Sequence, residues 1–222
     1  MNRNPLALIT LIRNRLNNDY DENIKWFQDK NIVLNREGNL FHLKRAENVD
    51  DSELSIVCNG ILFKGARLVA WPGFITRECS LEEAKSLSGF VWNDETYFVE
   101  VIDGIEIYMW WDWDVNKWGF SGPNKIRSPY QKRLVEKLYN VMSGDPAFTY
   151  VFKMTEKGKV YLDRMYDTKK LKEMEWDLTY KYAVKFKVEH PTLYKFEGLD
   201  KIEASDLPII ARDVRSSRIL IR

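Results

Sequence analysis

Few residues of this chain have types and spacings that could do chemistry. Its two histidines, His42 and His190, and its two cysteines, Cys58 and Cys79, lack companions at metal-ligand spacing. They give no zinc site and no disulfide framework, and the cysteine usage fits a reducing compartment. A glycine-rich phosphate loop, a nucleophile elbow and a histidine-based metal motif are missing from the sequence. Asp112-Trp-Asp114 has the alternate spacing by which two strand carboxylates share a cation, although at a strand end before a turn two solvated side chains are the favoured reading.

Lysines supply the remaining candidates. Read as a strand, residues 178–188 put Lys181, Lys185 and Lys187 on one face, suited to phosphate contact or to plain solvation. Lys125, Arg127, Lys132, Arg133 and Lys153 add cationic positions in the same half of the chain. Residues 1–116 hold 12 Lys and Arg against 19 Asp and Glu, a net −7, whereas residues 117–222 hold 22 against 14, a net +8. That polarity invites a polyanion partner, unless the halves neutralise each other within one fold. Among the 8 tryptophans, Trp110, Trp111, Trp113 and Trp118 fall on two strands joined by one turn. Strict alternation sends Trp111 and Trp113, with Met109, to the core and turns Trp110, beside Asp112, toward solvent as a platform for an unpaired base.

The elements that must hold these residues point to an α+β fold, antiparallel sheets flanked by helices. A composition of 45% hydrophobic and 30% charged residues excludes disorder and a coiled coil for the bulk of the chain. The apolar runs are too short to span a bilayer, and Arg13 and Arg15 interrupt the apolar stretch after Pro5, so a cytoplasmic protein without membrane association is expected. Asn4-Pro5 opens an amphipathic helix carrying Leu6, Leu8, Ile9, Ile12 and Leu16. A hairpin turned at Gly38 follows, then mostly strands to Phe120. Ser128-Pro129 begins a helix with Leu134, Val135, Leu138, Val141 and Met142 as its apolar stripe. Residues 148–154 and 159–162 read as strands, 168–174 as a short basic helix, and Ile209-Ile210 and Ile219-Leu-Ile221 as late strands. The chain reads as a single domain of residues 1–222: an N-terminal helical segment, 1–30; a core, 31–190; and a basic C-terminal segment, 191–222.

The order of the strand segments carries a resemblance. Cys58-Asn-Gly-Ile-Leu-Phe63, Arg67-Leu-Val-Ala-Trp-Pro72, Glu100-Val-Ile-Asp-Gly-Ile105 and Trp118-Gly-Phe-Ser-Gly122 resemble the succession in the nucleotidyltransferase domain of phage-type RNA ligases. Phe148-Thr-Tyr-Val-Phe-Lys153 with Val160-Tyr-Leu162, and then Val184-Lys-Phe-Lys187, resemble its later strand pair and final lysine motif. The resemblance covers roughly residues 30 to 190 and implies the ligase fold and a bacteriophage source.

The departures bear on activity. In these ligases the lysine of the K-x-D-G motif attacks ATP to form a lysyl-adenylate, and here Val101 stands in its place. The arginine before glycine becomes Asn59, the arginine before proline becomes Trp71, and the glutamate of the later strand becomes Lys153. Asp103 and Gly104 survive, but a tight turn would also keep them. What the resemblance then implies is a non-catalytic RNA-binding protein with no cofactor and no metal. Single-stranded RNA would lie on the basic half and on Trp110. Two other readings stay open: a divergent ATP-dependent RNA ligase using a relocated lysine such as Lys64 or Lys153, and a protein-interaction module with a Trp-rich surface.

Overall fold

The computed structural model of the chain describes residues 4–16, 20–47, 52, 54–74, 76–86, 90, 92–93, 96–195, 209–212 and 218–221. They group into two compact units, one of residues 2–75 and 104–189, the other of 76–103 and 190–222.

In the larger unit, α1 (Pro5–Leu16) starts as its sequence predicts. The Asn4 side-chain oxygen accepts from the N–H groups of Leu6 and Ala7 at 3.1 and 3.3 Å, and Pro5 sits where no N–H is needed. Ile9, Ile12 and Leu16 are buried. With Phe27 of α2 (Tyr20–Gln28) they join a core that includes Ile32 of β1 (Ile32–Glu37). β1 and β2 (Leu40–Arg45) form the expected hairpin, with Gly38 at φ +61°. A 3₁₀ turn at Ser55–Val57 precedes β3 (Asn59–Lys64), and β4 (Arg67–Ala70) completes an antiparallel sheet in the order β1-β2-β3-β4.

The smaller unit begins with β5 (Arg77–Cys79), α3 (Leu81–Ser86) and β6 (Tyr97–Glu100). α3 falls where strands were expected. Its signal was Ser80-Leu-Glu-Glu83, a capping box: the Ser80 N–H donates to the Glu83 carboxylate at 2.9 Å and the Glu83 N–H donates to Ser80 Oγ at 3.2 Å.

Back in the larger unit come β7 (Ile105–Asp112), β8 (Lys117–Ser121), α4 (Gln131–Lys137), β9 (Phe148–Met154), β10 (Val160–Asp167), β11 (Lys172–Glu173) and α5 (Trp176–Phe186). Their antiparallel sheet has the order β11-β10-β9-β7-β8. One face meets α4 and α5 through Ile107, Met109, Tyr150, Phe152, Leu162, Leu134 and Phe186. The other meets the first sheet through Tyr108, Val151 and Tyr166. β12 (Leu193–Lys195), β13 (Ile209–Arg212) and β14 (Arg218–Ile221) return to the smaller unit, whose sheet runs β12-β6-β13-β14-β5 with β14 parallel to β5.

Four sequence readings need correction. Residues 178–188 are not a strand: Thr179, Ala183 and Phe186 are buried with the helical spacing of α5. Residues 168–174 are not a helix, because the Asp167 carboxylate accepts from the N–H groups of Lys169 and Lys170 and turns the chain into β11. The helix after Ser128 ends at Lys137, and Met142 is exposed beyond it. Finally, the tryptophans are inverted: Trp110 is 4% exposed and packs with Leu62, Val69 and Ala70, whereas Trp113 is 49% exposed. Gly119 lies opposite Trp110 because a Cβ there would stand 2.4 Å from the indole.

Candidate nucleic-acid interface

The positions that resemble the ligase motifs in sequence are built into the framework. Val101, the half-buried residue that follows β6 in the chain, offers only an aliphatic side chain. Asn59 starts β3 and is half-buried. Trp71 is buried; its backbone N–H donates to Thr149 Oγ1 at 3.1 Å and its ring packs edge-on against Phe74 and Tyr166. An arginine there would need its charge satisfied inside an apolar cluster. Gly104 has a steric reason to persist, since a Cβ would lie 2.6 Å from the Met154 carbonyl oxygen. Asp103 beside it is exposed.

Lys153 is held by an ionic cluster on the sheet face shared with Tyr108 and Tyr166. Glu106 of β7 lies opposite it in register, with Oε2 3.2 Å from Lys153 Nζ and 2.7 Å from Arg164 Nη2. The Tyr108 hydroxyl donates to Oε1 at 2.5 Å. Burial pushes the Glu106 pKa up, but Arg164, Lys153 and the tyrosine hydroxyl outweigh it and hold the carboxyl at about 2. Arg164 Nε also lies 2.7 Å from the Asp163 carboxylate. A glutamate at position 153 would face Glu106, so the changed sign there has a local partner.

The other relocated-lysine candidate, Lys64, reaches Asp112 at 2.7 Å and Asp114 at 3.0 Å, and Arg67 reaches Asp114 at 2.5 Å. The hydrogen bond that Lys64 donates to Asp112 leads in raising the Lys64 pKa, so this amine stays protonated and is a poor nucleophile. Asp112 and Asp114 thereby tie the β3–β4 hairpin to the end of β7. Among the described residues no group of three or more His, Cys, Asp or Glu is placed to hold a metal ion.

Exposed cations gather instead around the ends of α4 and α5. Lys137, Lys159 and Lys187, with Gly158, Val160, Val188 and Glu189, line a cavity of about 340 Å³. Three local structures bring them together. α4 ends at Lys137, and two residues later the Tyr139 N–H donates to the Phe186 carbonyl at 2.8 Å. α5 ends in a Schellman motif: the N–H groups of Lys187 and Val188 donate to the Val184 and Ala183 carbonyls, placing Lys187 at φ +54°. The β9–β10 turn passes Gly158 at φ +76° and presents Lys159. Arg133 Nη2 lies 3.1 Å from where a Gly158 Cβ would be, and Lys187 Nζ sits 3.9 Å from the centroid of the exposed Tyr139 ring.

Of the cations singled out in the sequence, Arg133 and Lys187 meet here. Lys181 and Lys185 lie on the exposed side of α5, with Lys185 Nζ 5.1 Å from the Tyr182 ring, and Lys132 is exposed on α4. Lys125 is exposed in the loop after β8, and Arg127 pairs with Glu37 at 2.5 Å. Lys137, Lys159 and Tyr139 escaped sequence reading. Lysine next to the glycine of a turn and lysine in the last turn of a helix were their only signals.

No family model matches the chain, and no curated protein sequence matches it. Solved structures do. A putative ATP-dependent DNA ligase from Aquifex aeolicus superposes with a TM-score of 0.65 at 11% identity, covering 91% of this chain and 62% of that one. An archaeal ATP-dependent RNA ligase gives 0.63 at 10% identity, covering 96% of this chain and 63% of the ligase. The chain therefore spans less than two thirds of the length of either ligase. At this identity the likeness speaks for architecture, and the architecture is the nucleotidyltransferase fold of ATP-dependent nucleic-acid ligases.

Proposed function

We propose that this chain binds RNA, preferentially single-stranded, and does not ligate it. The carrying observation is the convergence of Lys137, Lys159 and Lys187 on one cavity, with Arg133 and the exposed Tyr139 at its edge. Ammonium groups neutralise phosphates and release counterions, while an exposed aromatic ring stacks on an unpaired base. Lys132 of α4, Lys181 and Lys185 of α5 and Lys125 after β8 are further exposed cations of the same unit. The ligase likeness adds nucleic acid as the polyanion. The same likeness makes loss of catalysis the informative difference: Val101 supplies no nucleophile, Trp71 is core, and Lys153 and Lys64 are held by carboxylates. The reading requires no cofactor, and it carries a viral origin and a cytoplasmic setting with it. No described helix is long and apolar enough to cross a membrane.

Fluorescence anisotropy with single-stranded RNA, duplex RNA and DNA tests it. Affinity should be greatest for single-stranded RNA and should fall with salt, log K against log salt having a slope near −0.7 per neutralised phosphate. In parallel, labelled ATP with a divalent metal should leave the denatured protein unlabelled. A lysine-linked AMP would restore the ligase reading, and no RNA binding at low salt would end this one.

A further inference from the structure

We propose that the Lys137, Lys159 and Lys187 cavity takes a phosphate monoester dianion, as inorganic phosphate or as the phosphorylated terminus of an RNA strand. The inference rests on the RNA-binding reading and narrows it to a chemical group. Three lysines and Glu189 among the lining residues sum to a net charge of +2. A phosphodiester within a strand carries one negative charge, whereas a monoester approaches two near neutral pH, with its second pKa near 6. The lining matches the monoester.

The donors also fit. Lysine ammonium groups are compact point charges with rotatable donors, suited to three terminal oxygens around one phosphorus rather than to the planar fork of a guanidinium. Arg133, one helical turn before Lys137, adds reach from the rim. A plainer reading is that Lys137 and Lys187 answer the negative ends of α4 and α5. Lys159 belongs to no helix, so that reading leaves the third cation unexplained. Nor does it explain why the left-handed position closing α5 carries lysine, when glycine fits it without strain.

The test compares internally labelled eight-nucleotide RNAs bearing a 5′-phosphate, a 3′-phosphate or neither. A terminal phosphate should tighten binding about tenfold at pH 7.5, and the advantage should shrink at pH 5 as the monoester loses its second charge. In a variant combining Lys137→Ala, Lys159→Ala and Lys187→Ala the advantage should vanish while weak binding to the unphosphorylated strand persists. Equal affinities for all three RNAs overturn the monoester site and leave RNA binding intact, whereas no binding of any of them overturns both. Inorganic phosphate is the second arm. A rise in Tm with phosphate that the triple variant lacks extends the site to the free ion, and no such difference confines it to strand termini. A terminal-phosphate advantage that survives in the triple variant puts the group elsewhere and defeats the assignment.

Discussion

Lys153 of β9 and Glu106 of β7 face each other in register, Nζ 3.2 Å from Oε2, and the Arg164 guanidinium bonds the same carboxylate oxygen. One carboxylate thus answers two cations inside the sheet, with Arg164 only 6% exposed. Removing it takes from Lys153 its carboxylate and leaves Arg164 with Asp163 alone.

Glu106→Gln is therefore expected to cost about 3–5 kcal/mol in urea unfolding at pH 7, with partial recovery when Lys153→Gln is added. Because folding depresses the Glu106 pKa to about 2, its stabilisation is complete above the unfolded value and is lost as pH falls toward 2. A Glu106→Gln variant as stable as wild type at pH 7 would contradict this account.

The tryptophans give a second measurement. Trp110→Ala empties a site lined by Leu62, Val69 and Ala70 and should cost about 3–5 kcal/mol. Trp113→Ala, half exposed, should cost less than about 1 kcal/mol. Thermal melts in which Trp113→Ala proves the worse variant would reverse the assignment. Gly119→Ala should also melt early, because its Cβ enters the volume of the Trp110 ring.

His42 makes stability depend on pH in a separate window. The buried ring donates from Nε2 to the Gly122 carbonyl at 3.0 Å, while Nδ1 has no partner. Burial lowers its pKa, the Gly122 bond partly opposes this, and nearby Lys44 adds to the lowering, leaving it at about 4. Between roughly pH 6.5 and 4 the unfolded chain binds the proton that the folded chain refuses, so stability falls as pH falls, by about 3 kcal/mol in total. Urea midpoints across this range should show the slope in wild type and lack it in His42→Gln; identical slopes would refute the assignment.

Lys187→Gly separates stability from binding. Relief of the left-handed strain, about 1–2 kcal/mol, exceeds the exposed cation–π contact with Tyr139, about 0.5–1 kcal/mol, so the melting temperature should hold or rise. RNA affinity should drop at the same time. A variant that loses stability and keeps affinity would make Lys187 a structural residue.

The hairpins at Gly38 and Asn4-capped α1 were legible because turn and cap chemistry is local. The Trp110 register was not, because β7 is covered on both faces: Ile107 and Met109 meet one layer, Tyr108 and Trp110 the other. Alternation has no polar side to report in such a strand. α5 misled for the opposite reason. Its exposed Lys185 and Lys187 imitate a period of two, while the burial of Thr179, Ala183 and Phe186 depends on partners distant in sequence. The site divides similarly. The resemblance that sets Val101 beside a nucleophile's place can be read in a string of letters, but the lysine cavity requires two helix ends and a turn to meet.

The parallel pairing of β14 with β5 joins Ile221 to Cys79, and β13, also late in the chain, lies between β14 and β6. During synthesis on a ribosome, β5, α3 and β6 emerge long before the strands that complete their sheet. Until then Phe98 and the edges of β5 and β6 have no sheet partner, a state that invites chaperone capture or misassociation. The smaller unit is thus a late-closing module, and a nascent chain stalled before residue 218 should be recovered from cells with residues 76–103 open to protease and the larger unit already resistant.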